Sequence, residues 1–254
     1  MANIILELTD VYKSFTLSEE QIEVIKGVSF SVNEADFLIL FGPSGCGKST
    51  LLNILLGLEI PTKGSVNFQN RSLYALSDDE RAQLRKQKVG IVYQQSNWIK
   101  SLNVIENVYF PLTLRGISEA ERIRKATEAL LLVGMSDKAH QNPSELSSGQ
   151  QQRVSMARAI ISDPVLVVAD EPTGNLDSKA SQDIMELFKR LNTQGKTIIM
   201  VTHDLEYLKF ASKSVSISDG VVTGEYKPND PRLKPLSLSK RGTVDSDQSN
   251  KKTK

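Results

Sequence analysis

Nine consecutive residues, Gly42, Pro43, Ser44, Gly45, Cys46, Gly47, Lys48, Ser49 and Thr50, have the types and spacing to hold a polyphosphate. They match G-x-x-x-x-G-K-[ST] at every fixed position. Glycines at 42, 45 and 47 let the backbone turn tightly and aim successive N–H groups inward, which makes a nest for anions. A helix starting near Lys48 adds the positive end of its dipole. The Lys48 ammonium is a mobile charge for β- and γ-phosphates, and the Ser49 hydroxyl suits Mg²⁺. Two acids, Asp170 and Glu171, directly follow an apolar run further along. Downstream of a phosphate loop, Asp170 is placed to hold Mg²⁺ directly or through water, and Glu171 to orient or deprotonate an attacking water.

Chemistry of that kind needs a strand, a glycine loop and a helix in succession. Residues 36–41 (DFLILF) read as the buried strand, and 51–56 (LLNILL) continue as an apolar helical stripe that stops near Gly57. The acids need a second central strand, and 165–169 (VLVVA) form the continuous apolar run of a strand buried on both faces. Residues 178–191 and 204–210 read as helices, and 197–202 and 215–218 as strands, with a hairpin turn at Asp219-Gly220. Strands alternating with helices put this core in the α/β class.

Ahead of the loop, 4–11 and 24–32 read as strands, the second with a bulge or bend at Gly27, and local pairing suggests a small antiparallel sheet beside the nucleotide. Residues 61–64 read as a turn, 65–69 as a short strand, 77–80 as a helix start, and 89–93 as another strand. From about 96 to 162 the character changes to helix. A capping box is expected at Ser118 to Glu121, apolar periodicity runs from Ile123 to Val133, and Gly134 closes that helix. A further helix spans 148–161 before Asp163-Pro164 breaks it.

The 254 residues suffice for one large or two modest domains, and 39% hydrophobic with 24% charged residues is ordinary for a soluble globular protein. Basic residues (31) and acidic residues (30) nearly cancel, so no nucleic-acid partner is expected. The sole cysteine, Cys46, cannot form an internal disulfide, which fits a reducing compartment. The start, MANIILELTD, lacks the features of a secretory signal, and no stretch approaches the ~20 apolar residues that span a bilayer. Residues 228–254 contain three prolines and seven basic against three acidic residues, and read as a solvated, disordered tail.

A third element joins these two: Leu146, Ser147, Ser148, Gly149 and Gln150, followed by Gln151, Gln152 and Arg153. With it the chain resembles an ATP-binding cassette (ABC) ATPase subunit, whose signature is usually written L-S-G-G-Q; Ser148 departs from the usual glycine. The resemblance covers about residues 4–226 and assigns further positions in register. Gln94 matches the Q-loop, which touches the nucleotide site and its metal and joins it to the helical subdomain. Gly174, Asn175, Leu176 and Asp177 match the D-loop, which reaches across a dimer. His203 matches the switch histidine at the γ-phosphate, and Phe15 the aromatic that stacks on adenine, with Tyr12 the weaker alternative. By the same resemblance, Ser147, Gly149, Gln150 and the helix start behind them contact ATP held by a second subunit.

The resemblance implies a P-loop NTPase core of ABC type over residues 1–227, with an antiparallel β-subdomain and an inserted helical subdomain at about 96–162. It implies ATP and Mg²⁺ as ligands, with Ser49, Asp170 and Gln94 around the metal. A second copy of the chain and an integral-membrane permease are the partners it implies, at the cytoplasmic face of a bacterial inner membrane. Residues 97–108, with Trp98 and Ile99 as anchors, are read as part of the docking surface, against the alternative that Trp98 packs inside the helical subdomain. The phrases GQQQRV, DEPTGNLD and NVIENV are most similar to ATPases that serve lipoprotein-release, macrolide-export and cell-division permeases. A nutrient-uptake ATPase is the neighbouring reading. A soluble non-transport ABC protein is the alternative from a different class, although ribosome-acting members normally carry two cassettes.

Overall fold

A computed structural model describes residues 3–233 apart from Ser96, so the reading of a tail over 228–254 lies outside the described residues from 234 onward. Two sheets organise the chain. The first is antiparallel, in the order β2-β1-β4-β5, from β1 (Ile4–Leu17), β2 (Glu20–Asn33), β4 (Lys63–Phe68) and β5 (Arg71–Ser72). The second has the order β10-β9-β3-β8-β7-β6, from β3 (Phe37–Phe41), β6 (Val89–Tyr93), β7 (Leu166–Asp170), β8 (Thr197–Thr202), β9 (Lys213–Ser218) and β10 (Val221–Tyr226). The five strands from β9 to β6 run parallel, and β10 returns antiparallel at the edge. The helices are α1 (Lys48–Leu55), α2 (Asp78–Lys88), α3 (Val104–Thr113), α4 (Glu119–Leu132), α5 (Ser148–Ile160) and α6 (Ser178–Thr193).

The central strands are buried on both faces, and their period of two divides the core. Phe37, Ile39, Phe41, Val167, Ala169, Ile198 and Met200 face one cluster, shared with α3 to α6. Leu38, Leu40, Leu166, Val168, Ile199 and Val201 face the other, shared with α1 and the antiparallel sheet. Each face of the parallel sheet therefore carries its own packed layer.

Several local expectations meet a competing interaction. Ser118 stands at the N-cap of α4, but its side chain makes no cap hydrogen bond. The reciprocal half of the box is missing as well, because the Glu121 carboxylate accepts two hydrogen bonds from Arg124, at 2.7 and 2.9 Å. That charge-assisted pair takes the group that a capping box needs. The boxes at Ser77 and Asn103 do form. The expected turn at 61–64 is shorter than read, because β4 already begins at Lys63, with Gly64 (φ 89) pressed against the Asp10 carbonyl. Residues 204–210 form a 3-10 helix over Leu205–Phe210 in place of an α-helix. Residues 228–233 lie against the domain: the Arg232 guanidinium is 4.9 Å from the Tyr226 ring centroid and donates to the Glu225 carbonyl at 3.1 Å.

Strand β6 and helix α5 meet without a side chain between them. A Cβ at Gly90 would overlap the Ala159 carbonyl and stand 3.1 Å from Pro164. Gly90 has an ordinary backbone, so close approach alone requires it. Gly90→Ala is expected to destabilise the fold by about 1–3 kcal/mol through overpacking. Urea unfolding checks this, and an unchanged midpoint would mean that strand and helix can separate freely.

Candidate functional site

The phosphate loop leaves the end of β3 and enters α1 within seven residues. Gly42 (φ 157) abuts the Ile217 carbonyl of β9, where any Cβ would overlap it. Gly47 (φ 98) is the N-cap of α1, and a Cβ there would stand 2.8 Å from Ile25 and 3.0 Å from the Val24 carbonyl. Backbone from both sheets thus packs against the loop. Pro43, Ser44, Gly45 and Ser49 are exposed, Thr50 is half-buried, and Cys46 is buried beneath them. No side chain caps α1, so its first N–H groups stay available to an anion. Lys48 is buried, and its ammonium donates to the carbonyls of Gly42 (2.9 Å) and Pro43 (2.7 Å). It curls over the loop, where a phosphate would sit within its reach.

Parallel pairing brings the acids alongside. Asp170 ends β7, and its Oδ1 accepts from the Ser49 hydroxyl at 3.5 Å. Burial pushes its carboxyl above the ordinary range; the neighbouring Glu171 charge adds to this, while Ser49 and Lys48 oppose it. Glu171 adopts φ 47, and its N–H donates to the Val201 carbonyl at 3.0 Å. The left-handed turn swings its carboxylate to His203, whose Nδ1 lies 2.9 Å from Oε1. A carboxylate only accepts, so Nδ1 carries the hydrogen. Gln94 follows β6 and is exposed, with its amide against Gly174.

The structure brings residues 42–50, Asp170, Glu171, His203 and Gln94 to one end of the parallel sheet. The signature residues stand elsewhere. Ser147 caps α5, accepting from the Gln150 N–H (3.3 Å) and donating its own to Gln150 Oε1 (2.9 Å). A Cβ at Gly149 would stand 3.0 Å from Ala180, so close packing on α6 is one reason for glycine there. Ser148 is exposed, so its side chain has room. Asp177 caps α6, accepting from the Ala180 N–H at 2.8 Å. Among the described residues no hydrogen bond joins 147–150 to 42–50. Phe15 is 40% exposed on β1, with the Lys13 ammonium 4.8 Å from its centroid. The Tyr12 hydroxyl is packed against Gly27, which leaves Phe15 as the presented ring.

Among the described residues no group of three or more His, Cys, Asp or Glu side chains could hold a metal ion. The Asp170 carboxylate and Ser49 hydroxyl are hard oxygen donors, however, and Mg²⁺ is bound through one or two carboxylates plus substrate phosphates. The donor set fits Mg²⁺ shared with a nucleotide.

Trp98 is half-buried and packs against the helical subdomain. Its indole N–H donates to Gln151 at 2.9 Å, and the Arg158 guanidinium lies 4.6 Å from its ring centroid. The preference of a large ring for burial prevails here, with its N–H satisfied. Three linking residues were not singled out by sequence. Gln152 donates to the Tyr93 carbonyl at 3.1 Å, tying α5 to the residue before Gln94. Gln151 reaches Trp98 as described. Asn107 is buried and bonds the backbone of Ile99, Leu102 and Asn103. A polar residue amid the apolar positions of α3 was the available signal.

This arrangement defines a nucleotide-binding cassette with a parallel-sheet core and helical and antiparallel flanks. The chain belongs to the ABC transporter family, whose model matches residues 25–174. An uncharacterized ABC transporter ATP-binding protein of Thermotoga maritima is 46% identical over 220 residues, covering 87% of this chain and 94% of that one. The macrolide export ATP-binding/permease protein MacB of Chlorobaculum tepidum is 39% identical over 230 residues, covering 91% of this chain but 35% of that one. The ATP-binding cassette MJ0796, solved as a dimer in a post-hydrolysis state bound to ADP and Pi, matches with a TM-score of 0.83 and 40% identity, over 89% of this chain and 99% of that one. A second MJ0796 dimer structure matches equally. The chain is thus an ABC-type ATPase and the ATP-binding subunit of a transporter.

The raised Asp170 carboxyl carries a stability prediction. A folded state that binds this proton more tightly than the unfolded chain loses stability as pH rises from the ordinary carboxylate value, 3.8, to the raised one, and the penalty persists above it. Asp170→Asn is therefore expected to raise the thermal midpoint at pH 7 without Mg²⁺ or nucleotide. The gain should shrink as pH falls below the ordinary value, and thermal scans across pH check this.

Proposed function

We propose that this chain hydrolyses ATP as one of a head-to-tail pair of copies, and that closure of the pair drives a membrane-spanning permease of the lipoprotein-release or macrolide-export type. The observation that carries this is the division of the site. The phosphate loop, Asp170, Glu171 and His203 share one end of the sheet, while Ser147 and Gln150 cap a helix that does not bond to the loop. A second copy supplying that helix start would complete the wall around the γ-phosphate. The dimeric state of MJ0796 and the permease in the printed name of MacB support the two partners.

In this reading Phe15 stacks on adenine, and residues 42–50 bind the phosphates through backbone N–H groups and Lys48. Ser49, Asp170 and Gln94 would hold Mg²⁺, which would supply positive charge against the phosphates. Glu171 orients the attacking water and accepts its proton. His203 holds that carboxylate through Nδ1 and turns its other ring nitrogen, Nε2, toward the γ-phosphate. Ser147, Gly149, Gln150 and Asp177 act across the pair. ATP bridges two copies only in the closed form, so its binding free energy favours closure and hydrolysis permits reopening. Gln94 and the segment after it pass the movement to the permease at the cytoplasmic face of the membrane. No helix among the described residues is long and apolar enough to cross a bilayer.

Glu171→Gln tests the scheme. ATP turnover of the purified chain is expected to fall by about 10²–10⁴-fold, the range lost with a general base. ATP-dependent dimers should accumulate by size-exclusion chromatography. Wild-type turnover would remove Glu171 as the base, and persistent monomers would count against the shared site.

A further inference from the structure

Beside the exposed Phe15 ring stands a charge with no part in the scheme above. The Lys13 ammonium is 4.8 Å from the ring centroid, and its side chain is only 13% exposed. It forms an ion pair with the Glu59 carboxylate and donates to the Ile60 carbonyl at 2.8 Å. An ammonium carries three hydrogens, and these partners take two of them. The face of Phe15 is the third group within its reach, at cation–π distance. Both anchors of Lys13 belong to the chain just past the phosphate-loop helix, α1. There the N–H groups of Leu58 and Glu59 return to the Asn53 carbonyl at 2.9 and 3.2 Å. The Tyr74 hydroxyl lies 2.5 Å from the Ile54 carbonyl oxygen and 2.6 Å from that of Glu59. The Arg85 guanidinium donates to the Leu56 and Gly57 carbonyls, at 3.2 and 3.0 Å. Carbonyls at a helix end lack partners within the helix, and side chains from two other segments supply them here. Glu59 and Ile60 are therefore a fixed seat, continuous with the helix whose other end opens onto the phosphate loop.

Strand β1 loosens at this same point. Its pairing with β4 ends at Tyr12 opposite Lys63, and beyond it the Ser14 N–H turns to the Thr62 hydroxyl at 3.0 Å. Phe15 lies near the tip of the β1–β2 hairpin and is 40% exposed, so it has little packing to select one rotamer. The ammonium supplies that selection, because it covers one face of the ring and leaves the other to a ligand. We propose that Lys13 is a positioning residue for the nucleotide base: it fixes the Phe15 ring to the end of α1, so that base platform and phosphate loop stand at a set distance before nucleotide arrives. This rests on the stacking role given to Phe15 above. Lys13 touches no nucleotide in this arrangement. It acts through Phe15, on binding and not on hydrolysis.

The test uses the full-length chain with Lys13→Met, Lys13→Gln, Phe15→Leu and the Lys13→Met/Phe15→Leu double variant. It reads KM and kcat for ATP and inhibition by inorganic tripolyphosphate, with thermal unfolding to establish that each variant is folded. Lys13→Met keeps the apolar stem and removes the charge. KM for ATP is expected to rise roughly three- to tenfold, the effect of having to order one more side chain on binding, with kcat unchanged. Tripolyphosphate carries the phosphates without a base, so its inhibition constant should not move. In the Phe15→Leu background Lys13→Met should add nothing, since the ring it positions is gone. Lys13→Gln keeps N–H donors for Glu59 and Ile60 but not the charge; it should raise KM in the same way, and it carries the test if Lys13→Met does not fold. An unchanged KM in a folded Lys13 variant, an equal loss of tripolyphosphate inhibition, or losses that multiply in the double variant overturn the positioning role alone. An unchanged KM in Phe15→Leu overturns the stacking role of Phe15 and this inference with it.

Discussion

The structure depends on backbone packed against backbone at the phosphate loop. Gly42 touches the Ile217 carbonyl of the parallel sheet, and Gly47 touches Val24 and Ile25 of the antiparallel sheet. Gly220, in the β9–β10 turn, overlies the Val24 carbonyl and accepts the Lys26 N–H at 2.8 Å. Three positions without side chains therefore let two sheets converge on one loop. The position of Phe15 relative to the phosphates follows from this contact, because β1 is held by β2 and β2 is held here. Enlarging any of the three would move Phe15, the proposed adenine platform, as well as the loop.

Parallel register does the remaining alignment. Phe41 pairs with Thr202, and Tyr93 pairs with Asp170, which pairs with Val201. The strands end nearly level, and the residues just beyond them are Gly42, Gln94, Glu171 and His203. In open parallel sheets ligands bind outside the carboxyl ends of the strands, where loops from separate strands converge. Under the proposed function, one residue after each of four strands supplies a part of the chemistry. The site is an edge property of the sheet, and the apolar runs of β3, β7 and β8 that look purely structural fix its geometry.

Much of this was legible because the decisive signals are local. Fixed glycine spacing marks the loop, unbroken apolar runs mark the central strands, and Asp170-Glu171 directly follows one of them. Competing local partners and interactions between distant segments were not legible. Nothing in the sequence says that Arg124 takes the Glu121 carboxylate from Ser118, since both outcomes use residues three apart on one helix. Trp98 could have been an anchor or a packed ring, and Gln151 and Arg158 decide it from 53 and 60 residues away. Gln152 and Gly90 read as unremarkable until α5 is laid on β6. The strands are longer than the sequence suggests for a related reason: β1 extends to Leu17 and β2 begins at Glu20, through half-buried and exposed residues, polar and apolar, that are held by pairing.

The division of the site between sheet and helix has a consequence for how movement reaches both halves. Helix α5 carries Ser147 at its start, and the same helix is locked to β6 by the Gly90 contact and by Gln152 on the Tyr93 carbonyl. The residues after Tyr93 then branch. Gln94 lies on the turn of Glu171, while Trp98 is bonded to Gln151, one residue past the capping Gln150. One short segment thus contacts the hydrolytic carboxylate's turn in its own half-site and the helix start that the proposed pair offers to the other. A push on that segment need not travel through the core to reach either. Under the proposed function, this placement suits a segment that reports the state of a membrane partner, because it bears on both half-sites at once.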